Sequence, residues 1–254
     1  MSKKIIIANW KMNPLTFKEA EKLFANVAKE VSEIKKTEIV VCPPFIYLEK
    51  LKKLSRKISL GAQDAFWNEV GAFTGEVSAL MLENFGVKYV ILGHSERRAL
   101  GETNIDINRK LKSAISAGLL PILCIGENDR DENHEYFNFV KSQLLESISG
   151  IPKNLLYKIT IAYEPVWAIS TTFNRRDATP TDSKEMTIFI RKIISDKLGA
   201  GMKMPRIIYG GSVNNRDAGE FLEHGGVEGL LVGKASLDVK KFTDIVKIAE
   251  NEND

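Results

Sequence analysis

The reading of this chain turns on ITIAYEPVWAISTTFNRRDATPTD, residues 159–182. It opens with a run of strand length, 159–163, rich in Ile and Tyr and without clean polar alternation. Such a run suits a strand covered on both faces. The stretch closes on Thr179-Pro180-Thr181-Asp182: a capping hydroxyl, a proline suited to the first helical position and an acid in the first turn. The helix it opens carries Met186, Phe189, Ile190 and Ile193 at helical spacing. Between strand and helix stand Glu164, at the end of the apolar run, and a long polar segment without a glycine.

The same unit recurs along the chain. Strand-length apolar runs lie at 5–8, 39–42, 58–60, 89–92, 120–125, 159–163, 206–209 and 229–232. In the first intervening segment Phe17, Ala20, Leu23, Phe24, Val27, Val31 and Ile34 share one helical face, and Thr16 with Glu19 forms a capping box. Strand and helix alternate without a break in composition, which calls for parallel strands joined by crossover helices. Eight such units predict one closed (β/α)8 barrel over residues 1–254. An open doubly wound sheet is the alternative, but the Gly-x-Gly-x-x-Gly turn that marks it is absent after the first strand.

Composition narrows the partners. Lys and Arg number 36 against 33 Asp and Glu, a net charge of +3 with no concentrated basic stripe, which argues against nucleic acid. The apolar stretch in MSKKIIIANWK is too short for a signal-peptide core or a membrane span. Cys42 and Cys124 cannot build a disulfide framework and read as core thiols in a reducing compartment. A cytoplasmic protein is the expectation. His94, His134 and His224 lack the spacing of a metal site, so no metal is expected. His134, in a charged run, and His224, before a glycine pair, read as surface residues.

In a closed barrel the segments that follow the strands converge on one mouth, where chemistry sits. The first strand end brings Asn9 and Lys11, on the same side if the strand continues. The fourth brings His94 and Glu96, the sixth Glu164, the seventh YGGSV and the eighth LVGKASL. A carboxylate, an imidazole, an ammonium and an amide therefore meet beside two glycine-containing turns. NWKMN, LGHSERR, CIGE, AYEPVWAI, YGGSV and LVGKASL together resemble the triosephosphate isomerase family across essentially the whole chain. The resemblance implies a cofactor-free enzyme that interconverts dihydroxyacetone phosphate and glyceraldehyde 3-phosphate through an enediolate.

The residues can be read against that chemistry. Moving a proton between adjacent carbons needs a base for a C–H bond and a donor for the oxygen that becomes anionic. Glu164, beside Tyr163, Pro165 and Trp167, is the candidate base in a poorly hydrated spot. SERRAL can open a short helix behind His94, and a helix amino terminus favours the neutral ring as donor. Lys11 reads as electrostatic support for the anionic substrate. Glu96 is a helix-start acid by sequence alone, and the resemblance places it near Lys11. Backbone N–H groups at 210–212, Ser212 included, and at Gly233 and Lys234 can cradle the phosphate. The Lys234 side chain, where the family has glycine, either adds a cation there or points to solvent.

Two segments carry further expectations. In the family, Pro-Val-Trp is one hinge of a lid that continues Ala-Ile-Gly-Thr-Gly-Lys-Thr-Ala. Here PVWAI matches, but Ser170 and Thr172 stand in place of the glycines, and residues 170–177 make the tip longer and more basic. Ser170 keeps an N–H for the phosphate, although its residue type disfavours positive φ. The altered lid leaves open an isomerase of a larger sugar phosphate. A catalytically silent phosphate-binding barrel would have lost Glu164 or His94. Residues 61–78 include a long loop that carries Phe66, Trp67, Val70 and Phe73 as exposed apolar residues. By the resemblance this loop docks beside Met12 of a second subunit, with Thr74 at its tip and Glu76 near the partner's Arg97, so a homodimer is expected.

Overall fold

The structure, a computed structural model, describes residues 3–169 and 176–252. In chain order the elements are β1 (Ile5–Asn9), α1 (Phe17–Glu30), β2 (Glu38–Cys42), α2 (Leu48–Leu51), β3 (Ser59–Ala62) and α3 (Ala79–Asn84). There follow β4 (Tyr89–Leu92), α4 (Ser95–Ala99), α5 (Asn104–Ser116), β5 (Leu120–Ile125), α6 (Glu135–Ser147) and β6 (Thr160–Tyr163). The last are α7 (Pro180–Leu198), β7 (Arg206–Tyr209), α8 (Ala218–His224), β8 (Gly229–Val232) and α9 (Val239–Asn251). All strand pairings are parallel and the ring is closed, with Ile5 registered against Glu38 on one side and Gly229 on the other.

The unbroken apolar character of the strands has two destinations. Ile5, Ile7, Val40, Tyr89, Ile91, Ile122, Ala162, Ile208 and Leu231 pack with Cys42 and Cys124 into one cluster made of strand residues, the filling of the barrel. Their neighbours Ile6, Ala8, Ile39, Val41, Val90 and Leu92 belong to a second, larger cluster shared with the helices. A strand sandwiched in this way has no polar face.

Helix starts follow the capping chemistry. Thr16 with Glu19 and Thr179 with Asp182 form capping boxes, and Pro180 takes the first helical position of α7. Thr103 with Asp106 adds a third, on α5. Val31 caps α1, and Ile34 lies beyond its end, yet both are buried. The third apolar run is displaced from its strand. β3 begins at Ser59 and runs on through Gly61 and Ala62, which pair with Tyr89 and Val90. Glycine and alanine carry little apolar signal, while Ile58 is buried just outside the strand.

The loop that follows β3, 63–78, corrects an expectation. Phe66 is buried, stacked on Trp67 at 4.1 Å and tilted against Phe73 at 4.6 Å. The aromatics thus form a small cluster of their own, and Val70 and Phe73 are the large apolar residues left exposed. Among the described residues no helix is long and apolar enough to cross a membrane.

Candidate active site

The site begins where β1 stops. Trp10 N–H still bonds Cys42 O at 3.1 Å, but Lys11 turns into the left-handed region with φ 52°. The strand therefore does not continue through Lys11, and the same-side argument for Asn9 and Lys11 fails. A non-glycine residue in that region is held by its surroundings. Lys11 N–H donates to Asn9 Oδ1 at 3.0 Å, and Gln63 Nε2 donates to Lys11 O at 2.8 Å and Cys42 O at 2.9 Å. The side chain then reaches across the mouth to Glu96 Oε1, 2.5 Å from Nζ.

His94 caps α4, and its Nδ1 accepts from the Glu96 N–H at 3.2 Å. A ring nitrogen that accepts carries no proton, so the neutral imidazole bears its hydrogen on Nε2. That nitrogen faces Glu164 Oε1 at 3.3 Å. Glu164 follows β6 and is 1% exposed. Its N–H bonds Ile125 O at 2.8 Å, and its Oε2 accepts from Ser95 N–H at 3.2 Å. Two glycines make room for it. A Cβ at Gly126 would lie 1.9 Å from Glu164 O, and one at Gly210 would lie 2.8 Å from its Cγ.

One cavity joins these groups to the phosphate-cradle candidates. Asn9, Lys11, His94 and Glu164 line it together with Gly210, Gly211, Ser212, Gly233 and Lys234. Ser212 N–H donates to Ala168 O over a long 3.3 Å in this arrangement. Gly233 precedes a single helical turn, Lys234–Leu237, whose Ser236 N–H and hydroxyl return to Gly233 O. Ser170, Thr172 and Arg175 lie outside the described residues. His134 and His224 are exposed and are not among the residues that line this cavity.

Sequence reasoning passed over Glu127, although CIGE puts it two residues past β5, as Glu164 stands past β6. Glu127 is 1% exposed, and its Oε1 accepts from Tyr163 Oη and Trp167 Nε1, each at 2.8 Å, with Arg130 Nε at 3.3 Å. Arg130 continues to Asp182 at 3.0 Å and Glu185 at 2.9 Å. Burial, reinforced by the Glu127 charge, pushes the Tyr163 hydroxyl well above its ordinary range and keeps it a donor. Arg176 stacks over the Trp167 ring at 4.7 Å and reaches Asp129 at 3.3 Å. Residues 166–168 behind Glu164 are therefore anchored from both sides.

A second buried network was not visible in the sequence. Lys110, 3% exposed, bonds Asp64 Oδ1 at 2.8 Å and also Glu102 Oε1, while Arg97 holds Asp64 at 2.8 Å. Burial raises the Asp64 carboxyl even against the nearby Lys110 and Arg97 cations.

A closed parallel barrel with a dry carboxylate facing a neutral imidazole at its carboxyl-terminal mouth defines a barrel enzyme of the acid–base class. Comparison with known proteins narrows the class. The profile of triosephosphate isomerase matches residues 4–249. The triosephosphate isomerase of Dictyoglomus thermophilum is 44% identical over 252 residues, covering 97% of this chain and 100% of the relative. That of Alkaliphilus oremlandii is 41% identical over 97% of this chain and 99% of its own, and that of Aquifex aeolicus 42% over 96% and 98%. The chain belongs to the triosephosphate isomerase family.

Proposed function

We propose that the protein interconverts dihydroxyacetone phosphate and glyceraldehyde 3-phosphate, with Glu164 as base and His94 as hydrogen-bond donor. The observation that carries this is the Glu96 N–H to His94 Nδ1 bond, which leaves the Nε2 hydrogen pointing toward the Glu164 carboxylate. A substrate carbonyl placed between them receives that hydrogen bond as Glu164 takes a proton from the adjacent carbon. The electron pair of the broken C–H bond becomes the enediolate double bond, and the former carbonyl oxygen takes the negative charge. The hydroxyl proton then passes from its own oxygen to the former carbonyl oxygen, the freed oxygen re-forms a carbonyl, and Glu164 returns the abstracted proton to the neighbouring carbon, which completes the isomerisation. Lys11 lends positive charge to the oxyanion, Asn9 holds the Lys11 backbone, and Glu96 fixes the Lys11 ammonium.

The phosphate sits, in this reading, on the N–H groups of Ser212, Gly233 and Lys234, with Ser170 contributing from the lid. The weak Ser212 to Ala168 bond is one a phosphate oxygen readily displaces. Binding the remote dianion orients the reacting carbons. The protein works without a cofactor, in the cytoplasm, and pairs as a homodimer through the region of Met12, Thr74, Glu76 and Arg97. Met12 is 93% exposed, and Thr74 and Glu76 lie on the exposed tip of their loop.

Turnover of three- and four-carbon sugar phosphates tests the assignment. The three-carbon pair is expected to be converted, and Glu164→Gln to lower kcat by roughly 1,000-fold with KM little changed. Preference for the four-carbon ester would favour a larger substrate under the altered lid. Equal rates for native protein and Glu164→Gln would remove the base from this account.

A further inference from the structure

Among the described residues, free positive charge is scarce at the phosphate end of the cavity. Lys11 enters with its ammonium held by Glu96, and its stem passes Gly233, with Cε 3.8 Å from where a side chain on Gly233 would begin. The turn at 210–213, Ile169, Leu231 and Gly233 bring no charge. Lys234 differs. It opens the helical turn after β8, lines the cavity, is exposed, and among the described residues its ammonium is in no ion pair or hydrogen bond.

The described lining carries the cations Lys11 and Lys234 and the carboxylate Glu164, with Glu96 holding the Lys11 ammonium and the Arg98 charge acting on Glu164. Among the described residues, Lys234 is the lining charge that no opposite charge already holds, and its attraction for an anion grows with the charge of that anion. A backbone cradle binds any oxyanion by hydrogen bonds, but a point charge rewards the second negative charge specifically.

We propose that the Lys234 side chain is a specificity-determining residue of this chain, the free ammonium that makes the cavity prefer dianionic phosphate esters over monoanionic ones. This rests on the phosphate end being where the proposed function puts it. Lys234→Met keeps the backbone N–H and most of the side-chain stem while removing the charge, and Lys234→Arg keeps the charge.

The test compares the three proteins by kinetics and by calorimetric titration with glycerol 3-phosphate and with the monoanionic glycerol 3-sulfate. Lys234→Met is expected to raise KM for triose phosphate about three- to fivefold with kcat within about twofold, the range of an exposed charge contact. It should weaken glycerol 3-phosphate by a similar factor and glycerol 3-sulfate by less. Both gaps should narrow at about 0.5 M salt, and Lys234→Arg should retain native values. Unchanged KM and an unchanged phosphate-to-sulfate ratio in Lys234→Met would overturn the proposal, as would loss of the preference in Lys234→Arg. A native protein that turns over no triose phosphate would instead fail the proposed function, and the calorimetric ratio would still decide the role of Lys234.

Discussion

Glycine at position 210 is a steric condition for Glu164, the proposed base. A methyl group there would come 2.8 Å from Glu164 Cγ and 3.4 Å from Oε1, so Gly210→Ala must push the carboxylate aside. Displacing a catalytic group by about 1 Å costs on the order of 100-fold. Steady-state kinetics of Gly210→Ala should show a loss of that size in kcat, with KM within about twofold. Glu127 invites a second substitution. Glu127→Gln keeps an acceptor for Tyr163 and Trp167 but removes the charge facing Arg130, which retains Asp182 and Glu185. A destabilisation of about 2 kcal/mol is expected, below the full cost of an isolated buried pair. Urea unfolding followed by tryptophan fluorescence measures it. Glu164, His94 and Lys11 were legible because each stands at the end of its own apolar run. Glu127 and Gln63 were not, for a physical reason. Glu127 gains its meaning from Tyr163 and Trp167 on the next strand, and Gln63 from a left-handed turn at Lys11 that no local pattern announces.

At the scale of elements, α9 is tied to the base of β2 by one carboxylate. Glu250 accepts from the N–H groups of Lys35 and Thr37 at 2.8 Å and from that of Lys36 at 2.9 Å. Burial alone would raise its pKa, but these donors overcome that and draw it from 4.5 down to about 2. The sign follows from linkage. A carboxyl whose folded pKa is depressed stabilises the fold fully above its unfolded value, and the contribution fades as pH falls through the window down to the folded one. Glu250→Gln should therefore be less stable than native at pH 7, by roughly 1 kcal/mol after allowance for solvent screening. The difference should shrink between pH 4.5 and about 2, as read by urea unfolding across that range. Helix starts were the most legible elements because a capping box is written within four residues, as at Thr16 and Thr179. Strand edges were less so: β3 is set by its pairing with Tyr89 and Val90, and its own Gly61 and Ala62 give no hint.

For the molecule as a whole, one group of exposed apolar residues supports the proposed second copy. Met12, Leu15 and Ile46 are 93%, 91% and 78% exposed; Met12 follows Lys11 directly, and Tyr47, next to Ile46, donates to Pro14 O and Leu15 O. Light scattering at micromolar concentration should give twice the chain mass, and a Met12→Glu, Ile46→Lys double variant should give the single mass with reduced turnover. A native protein that is monomeric and fully active would end the dimer reading. The closed ring has a consequence for how the chain is made. β1 leaves the ribosome first, yet its second neighbour, β8, is among the last segments to be synthesised. Until Gly229–Val232 has emerged, Ile5–Asn9 offers one unpaired border to the cell, and the growing sheet offers another at its far end. Such borders template unwanted partners, so the first strand is most open to mispairing in the interval of translation before the last strand emerges.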